Sequence, residues 1–402
     1  MKQTDIILVV NSGSSSLKFT VYSMAQGKKR LANGLVERIG SANANLVYKK
    51  GEEAKTEEIV KAANHTEALE LVTQILVDPA RGVIASLDSI DAIGHRVVHG
   101  GETFKSSVLV DDAVISRLKE LVPLAPLHNP PNIGGIEACL EIFKGKPNVA
   151  VFDTAFHQTM PDYVSHYAIP DEYYQKYGIR KYGFHGTSHH FVTLAAAEYL
   201  GKKPEEVNLV TCHLGNGSSL AAVKNGKVLD TTMGMTPLAG LVMGSRCGHI
   251  DPAVVLMLAR QGKSPDEIDA ILNKQSGLLG VAGINSGDMR DVVNNAAAGV
   301  ESAQTALNMW AHRILIFIGG YATVLGHVDA IVFTGGIGEN STAARGAVAS
   351  QLSALGVDFD EEANATKRGP CHISKPGSKV AAIVIPTDEE LMIAKETVEV
   401  VS

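Results

Sequence analysis

The sequence predicts an α/β protein of two lobes built alike, with a cleft between them. Three observations carry this: short apolar strands that run into glycine or small polar residues, helical patterns between them, and an internal echo of one strand–turn–strand unit. In chain order, Ile6 to Val10 leads into Asn11-Ser12-Gly13 and Val149 to Phe152 into Asp153. Ala330 to Phe333 then leads into Thr334-Gly335-Gly336, and Ala382 to Ile385 into Pro386. Unbroken β-branched runs of this kind belong to strands buried on both faces. Thr66 to Val77 and Gly299 to Phe317 carry helical periodicity, and Thr342 to Leu352 is helix-prone. The echo sets Gly13-Ser14-Ser15-Ser16-Leu17, with a later turn at Gly27-Lys28, against Gly215-Asn216-Gly217-Ser218-Ser219-Leu220, with a later turn at Asn225-Gly226-Lys227. Gly-Ser turns are common, so one match is chance; two at nearly equal offset favour duplication. Small-ligand sites form preferentially between domains, which places the chemistry in the cleft.

Composition narrows the function classes. The chain has 402 residues, enough for two or three domains, and its 45% apolar and 20% charged residues are those of a globular protein. A net charge of −7 argues against a general nucleic-acid binder. The apolar run Ile6 to Val10 is too short for a signal-peptide core, and Thr231 to Ser245 is broken by Gly and Pro, so no membrane association is expected. Cys139, Cys212, Cys247 and Cys371 lie far apart without a C-x-x-C pair, which fits a reducing cytoplasm.

Several segments could carry chemistry. Asn11 to Ser16 offers backbone N–H groups and hydroxyls, with Lys18 adding a positive charge; His213-Leu214-Gly215-Asn216-Gly217 is its counterpart. One such turn is usually only a turn, whereas two in a repeated frame suggest a phosphate clamp. Thr334-Gly335-Gly336-Ile337-Gly338-Glu339-Asn340 lets the backbone approach a ligand. It is not a Rossmann fingerprint, because Ser341 stands where the third Gly belongs. Gly262-Lys263-Ser264 is not a Walker loop, because Met257 replaces its first Gly. His185 and His189 have i, i+4 spacing but no intervening Glu, so satisfied structural histidines are the better reading than a metal site. Arg96 and Arg246 each sit in a Gly-rich, sparsely charged stretch, where a carboxylate or phosphate partner competes with an ordinary ion pair. Thr387 with Glu390 reads as a capping box opening a helix. Asp388 and Glu389 then either offset the helix dipole or hold Mg²⁺, and the residues leave both open.

These segments, together with His95-Arg96-Val97-Val98-His99-Gly100-Gly101, Pro126 to Pro130, Phe152 to His157 and Gly183 to His189, resemble the acetate and propionate kinase family essentially end to end. The resemblance implies two ribonuclease-H-like lobes of the actin, Hsp70 and sugar-kinase fold, here 1–152 with 386–402 and 153–385. It implies a homodimer and reversible phosphoryl transfer between ATP and acetate, giving ADP and acetyl phosphate, with Mg²⁺ or Mn²⁺ in its place. By motif, Arg96 and Arg246 hold carboxylate and phosphoryl group, His185 bonds the phosphoryl oxygens, and Asp153 is the family's acid/base residue. Asn11 and Glu389 position the metal, and Lys18 lies at the phosphates. His213, Leu214, Gly215, Asn216, Gly217, Asp288, Met289, Arg290, Gly336, Ile337, Gly338, Glu339 and Asn340 line the nucleotide site. His128 and Val98 lie beside the acid, Val98 as the wall that favours acetate over propionate.

In-line phosphoryl transfer is mostly positioning and charge stabilisation, which suits two arginines, a histidine and Mg²⁺. Acetate is already an anion near neutral pH and needs no base. Asp153 is therefore expected to hold Arg or Mg²⁺ in place. His249 stands where the family commonly has Asp, in the immediate setting of Arg246. The alternatives are a kinase for propionate or another short acid, a sugar kinase, or a non-catalytic nucleotide binder; the last would not need Arg96, Arg246, His185 and Asp153 together.

Overall fold

The computed structural model describes residues 4–402. The chain forms two compact units, Met1–Phe156 with Asp388–Ser402, and His157–Thr387. Unit 1 holds β1 (Ile6–Ser12), β2 (Ser16–Ser23), β3 (Lys29–Glu37), β4 (Ala44–Lys50), β5 (Thr56–Val60), β6 (Ala92–Val97), β7 (Val108–Leu109) and β8 (Asn148–Phe152). Unit 2 holds β9 (Asn208–Leu214), β10 (Ser218–Lys224), β11 (Lys227–Thr231), β12 (Ala330–Thr334), β13 (Cys371–His372) and β14 (Ala381–Val384).

The sheet orders are β5-β4-β3-β2-β1-β6-β8-β7 and β11-β10-β9-β12-β14-β13. Within them β3-β2-β1-β6-β8 and β11-β10-β9-β12-β14 are the same frame. Three strands run antiparallel in sequence order, followed by two parallel ones reached by crossovers. This is the ribonuclease-H-like order, present twice, as in the actin and sugar-kinase fold. The second hairpin turns through Asn225 and Gly226, both at positive φ, the twist that a two-residue β-hairpin requires.

Both sheets are covered on two faces, which is why their strands read as unbroken apolar runs. In unit 1, helices His65–Leu76 and Asn129–Ile142 pack on the Leu8, Val10 and Phe19 face. Helix Glu389–Val401 covers the opposite face with Ile393 and Ala394 against Ile7, Val9, Val149 and Val151. In unit 2, helix Glu301–Leu325 buries Ala306, Trp310, Ile314 and Ile318, a stripe at helical spacing. It runs eight residues past the periodic segment ending at Phe317, because nothing breaks the helix before Gly326 at φ 82°.

One local expectation is corrected. The C-terminal helix is capped by Asp388, whose side chain accepts from Leu391 N–H at 2.9 Å; Thr387 is one residue too early. The Thr387 hydroxyl instead meets Ser188 Oγ at 2.9 Å, and its N–H donates to Glu339 Oε1 at 3.1 Å. Further, Gly335–Asn340 is itself a short helix following β12, entered through Gly335 at φ 76°, where a Cβ would press on the Leu214 backbone.

Helix Asn129–Ile142 lies so close to the end of β1 that a Cβ on Gly135 would come 2.1 Å from Ser12 Oγ, while one on Gly134 would meet nothing. Gly135→Ala is expected to cost about 1–3 kcal/mol by overpacking. Gly134→Ala should be neutral or stabilise by up to about 1 kcal/mol. Denaturant unfolding of both variants checks this; equal midpoints would refute the close contact.

Candidate active site

In unit 1 the parallel neighbours β6 and β8 bring Arg96 and Asp153 together at their C-terminal ends. Arg96 Nε donates to Asp153 Oδ1 at 3.1 Å and Nη2 to Oδ2 at 2.5 Å, a bidentate fork. The Asp153 side chain is 2% exposed and that of Arg96 25% exposed, so the fork is nearly dry on one side and open on the other. The Asp153 charge outweighs burial and binds the Arg96 proton still more tightly than usual.

Helix Asn129–Ile142 fixes the surroundings. Asn132 Nδ2 donates to Ser12 O at 2.7 Å, and its Oδ1 accepts from Val98 N–H at 3.0 Å. Asn129 brackets His99, accepting from its N–H at 3.2 Å and donating to its carbonyl at 3.1 Å. Val98 is buried but lies one residue beyond β6, so strand alternation does not place it on the side of Arg96; Asn132 holds it instead. His128 is the exposed residue capping the same helix.

The three acidic residues of the C-terminal segment have different fates. Asp388 caps the helix, accepts from Tyr22 Oη at 3.0 Å and pairs with Arg30 Nη2 at 2.6 Å. Glu390 pairs with Lys18, so Lys18 already has a carboxylate partner. Glu389 Oε1 is buried with no hydrogen-bond partner. Burial pushes its carboxyl up to about 7, opposed by Arg96 and reinforced by the negative charges of Asp153 and Glu390.

The buried, unpartnered Glu389 Oε1 is a hard oxygen donor of the kind Mg²⁺ prefers, which fits the expected metal role, and Asn11 lies next to last in β1. No cluster of three or more His, Cys, Asp or Glu that could hold a metal exists among the described residues.

In unit 2, His185 precedes helix Gly186–Tyr199 at φ 59°, a left-handed conformation that is strained for a non-glycine residue. Its Nδ1 lies 2.8 Å from Ser219 Oγ on β10, and its ring is 4.3 Å from that of His213. Arg246 Nη1 donates to Pro237 O at 3.2 Å, and its guanidinium meets no carboxylate among the described residues. Burial lowers its hold on the proton, so an anion there would be stabilising. His185 Nε2 and Arg246 Nη1 both flank Gly217. His249 does not take part: its carbonyl accepts from Arg313 at 2.9 Å and its ring lies 5.5 Å from Phe317.

Beside them a cavity of about 980 Å³ is lined by Gly215, Asn216, Asp288, Met289, Arg290, Gly336, Ile337 and Asn340. Asp288 caps helix Met289–Ala297 and pairs with Arg290. Of the other segment members expected at the nucleotide site, Leu214 and Gly338 are buried beneath the cavity wall. The Glu339 carboxylate folds back onto Gly335 N–H at 2.9 Å, so its role is structural. Gly244, Ser245, Gly287 and Ser341 also line the cavity and carried no individual assignment. Their only signal is small size: a Cβ on Gly287 would come 2.3 Å from Gly244 O.

The profile of the Acetokinase family matches residues 6–395. The acetate kinase of Clostridium novyi (strain NT) is 53% identical over 397 residues, 98% of each chain. The crystal structure of Porphyromonas gingivalis acetate kinase superposes with a TM-score of 0.95 at 43% identity, covering 99% of this chain and 100% of that one. A propionate kinase from Francisella tularensis superposes with a TM-score of 0.90 at 44% identity, covering 98% and 99%.

The raised pKa of Glu389 gives a signed prediction. The folded state binds this proton more tightly than an ordinary carboxyl near 4.5, so the contribution is whole below about 4.5 and is lost as pH rises through about 7. The loss is on the order of 3 kcal/mol. In metal-free buffer the parent should therefore lose stability between pH 5 and pH 8 and Glu389→Gln should not. Added Mg²⁺ should restore the parent alone. Thermal melts across pH, with and without Mg²⁺, measure this.

Proposed function

The chain belongs to the acetokinase family, and on that premise we propose that it is an ATP:acetate phosphotransferase, interconverting ATP and acetate with ADP and acetyl phosphate. The observation that carries this reading is the half-open Arg96–Asp153 fork beside the unpartnered Glu389 carboxyl. A carboxylate acceptor needs a cation to hold it, a fixed orientation and no base.

Arg96 binds and orients the acid, and Asp153 holds Arg96 in register. An acetate oxygen attacks the γ-phosphorus in line, forming the new O–P bond as the bond to the bridging oxygen of ADP breaks; no proton moves. Charge developing on the equatorial oxygens is met by Arg246 and His185. Asn11 and Glu389 would hold Mg²⁺, which when bound neutralises phosphate charge; Mn²⁺ has the same oxygen preference. The glycines at 215, 217 and 336 admit the nucleotide phosphates, and Met289 and Ile337 offer apolar surface to the base. Lys18, paired with Glu390, contributes long-range charge at most.

Val98 and His128 bound the acid, with acetate the preferred substrate. Similarity to a propionate kinase keeps propionate as the second reading. One methylene is worth only about 1–3 kcal/mol in an apolar pocket, so preference rather than exclusion is expected.

The same reading includes a homodimer and a cytoplasmic setting. Helix Pro252–Arg260 buries none of its residues and exposes Val254, Leu256 and Met257, while helix Glu301–Leu325 exposes Met309, Ile316 and Val324. Apolar faces of this extent suit a second copy. No helix among the described residues is long and apolar enough to cross a membrane, and all four cysteines are free.

With ATP and Mg²⁺, hydroxylamine trapping should detect acetyl phosphate from acetate, with a smaller kcat/KM for propionate. Arg96→Ala and Arg246→Ala should each lower kcat about 10²–10³-fold in folded protein. Nucleotide binding without turnover in the parent would sink the enzymatic reading. Leu256→Glu with Met257→Glu should yield monomers by sedimentation; an unchanged assembly would move the interface elsewhere.

A further inference from the structure

We propose that His65, which belongs to none of the motifs, aims the Ser14 N–H of the β1–β2 turn at a phosphate oxygen of the bound nucleotide. The inference rests on the phosphate-clamp reading of Asn11 to Ser16 and adds the residue that keeps the clamp in shape.

A turn that cradles an anion must face it with N–H groups and keep its carbonyl oxygens away. Between β1 and β2 the carbonyls are tied back one by one. Ser12 O accepts from Asn132 Nδ2 at 2.7 Å, Ser15 O from Ile39 N–H at 3.0 Å, and Ser16 O from Gly13 N–H at 2.8 Å. His65 Nε2 lies 2.6 Å from Gly13 O. A carbonyl oxygen only accepts, so that nitrogen carries a proton whatever the charge of the ring. Ser14 and Ser15 are exposed, and neither their N–H groups nor their hydroxyls have a partner among the described residues.

Of these peptides, Gly13–Ser14 is the one that needs holding. The C=O and N–H of a planar trans peptide point opposite ways, so tying Gly13 O to His65 turns Ser14 N–H to the other side. Gly13 has no side chain to oppose a flip of that peptide. A flip would put a carbonyl oxygen where the N–H stands and repel the anion.

Helix His65–Leu76 brings the ring there. Its core face, Ala68, Leu69 and Val72, packs with Val10, Leu17 and Phe19 of β1 and β2, which fixes its first residue beside the turn. The helix itself has no use for a histidine at that position. Asn64 accepts from Glu67 N–H at 2.9 Å, and Glu67 Oε2 accepts from Ala63 N–H at 2.8 Å, so the cap is already complete. The N-terminal end of a helix dipole also disfavours positive charge. His65 is thus a positioning residue: it acts on the phosphate only through the Gly13–Ser14 peptide.

Calorimetric titration with ATP and Mg²⁺, beside steady-state rates, tests this on the full chain. His65→Phe keeps a ring and removes the donor, whereas His65→Gln puts an amide N–H in place of Nε2–H. His65→Phe should weaken ATP binding and raise KM for ATP by about fivefold or more, leaving KM for acetate within about twofold. His65→Gln should return ATP binding to within about twofold of the parent. Long-range ¹H–¹⁵N correlation spectra of histidine-labelled parent should show a proton on His65 Nε2; a neutral Nδ1–H ring would overturn the inference. Undiminished ATP binding in folded His65→Phe would overturn it too, as would an equal loss in His65→Gln. A parent that binds ATP with this dependence on His65 but forms no acetyl phosphate would overturn the assigned reaction and leave the positioning role standing.

Discussion

The Arg96–Asp153 pair is the constraint around which unit 1 is organised. A charge pair with one partner as buried as Asp153 tolerates neither loss of the arginine nor loose geometry, because the carboxylate has given up its water. The fold meets that demand with rigid parts. Both residues sit at the ends of adjacent parallel strands, the Asp153 backbone is tied to Val97 O at 3.0 Å, and helix Asn129–Ile142 locks the following residues through Asn129 and Asn132. The same pair sets the electrostatics of its neighbour. Glu389, its carboxyl pushed up by burial, is drawn by Arg96 and repelled by Asp153 and Glu390.

Duplication supplied two copies of one frame, and the copies have diverged in chemistry while keeping topology. Each places a strand–turn–strand unit of small residues at the corresponding position inside its sheet, β1–β2 and β9–β10. In unit 1 the following parallel strands present a charge fork. In unit 2 the corresponding region presents hydroxyls bonded to histidine rings, Ser188 with His213 and Ser219 with both His185 and His189, and an arginine that meets no carboxylate among the described residues. One copy is thus built around compensated charge, the other around an arginine with no compensating carboxylate among the described residues.

Much of this was legible in the residues. The doubly covered sheets followed from the unbroken strands and the duplication from two matched turns, whereas the roles proposed for Arg96, Asp153, His185 and Arg246 come from the resemblance of their motifs. What escaped depends on atoms placed by distant segments. Thr387 looks like a cap in sequence, yet its hydroxyl and N–H are claimed by Ser188 and Glu339, and the cap falls to Asp388. Asp388 and Glu389 are equivalent candidates on paper; Tyr22 and Arg30, from the other end of the chain, occupy the first and leave the second. Ser219 belonged to a turn motif, and nothing local shows that its hydroxyl stands between two imidazoles.

Unit 1 is discontinuous: it is left at Phe156 and completed only by the segment from Asp388 onward. During synthesis this imposes an order of assembly. Unit 2 is one uninterrupted stretch and can collapse as soon as it clears the ribosome. Unit 1, though begun first, keeps the Ile7, Val9, Val149 and Val151 face bare until helix Glu389–Val401 arrives. The nascent chain therefore carries an exposed apolar sheet for most of its translation, a surface for chaperones to shield and for early termination to leave sticky. Glu389 and its neighbour Asp388 arrive with that helix, so the acidic end of unit 1 is assembled at the same late stage.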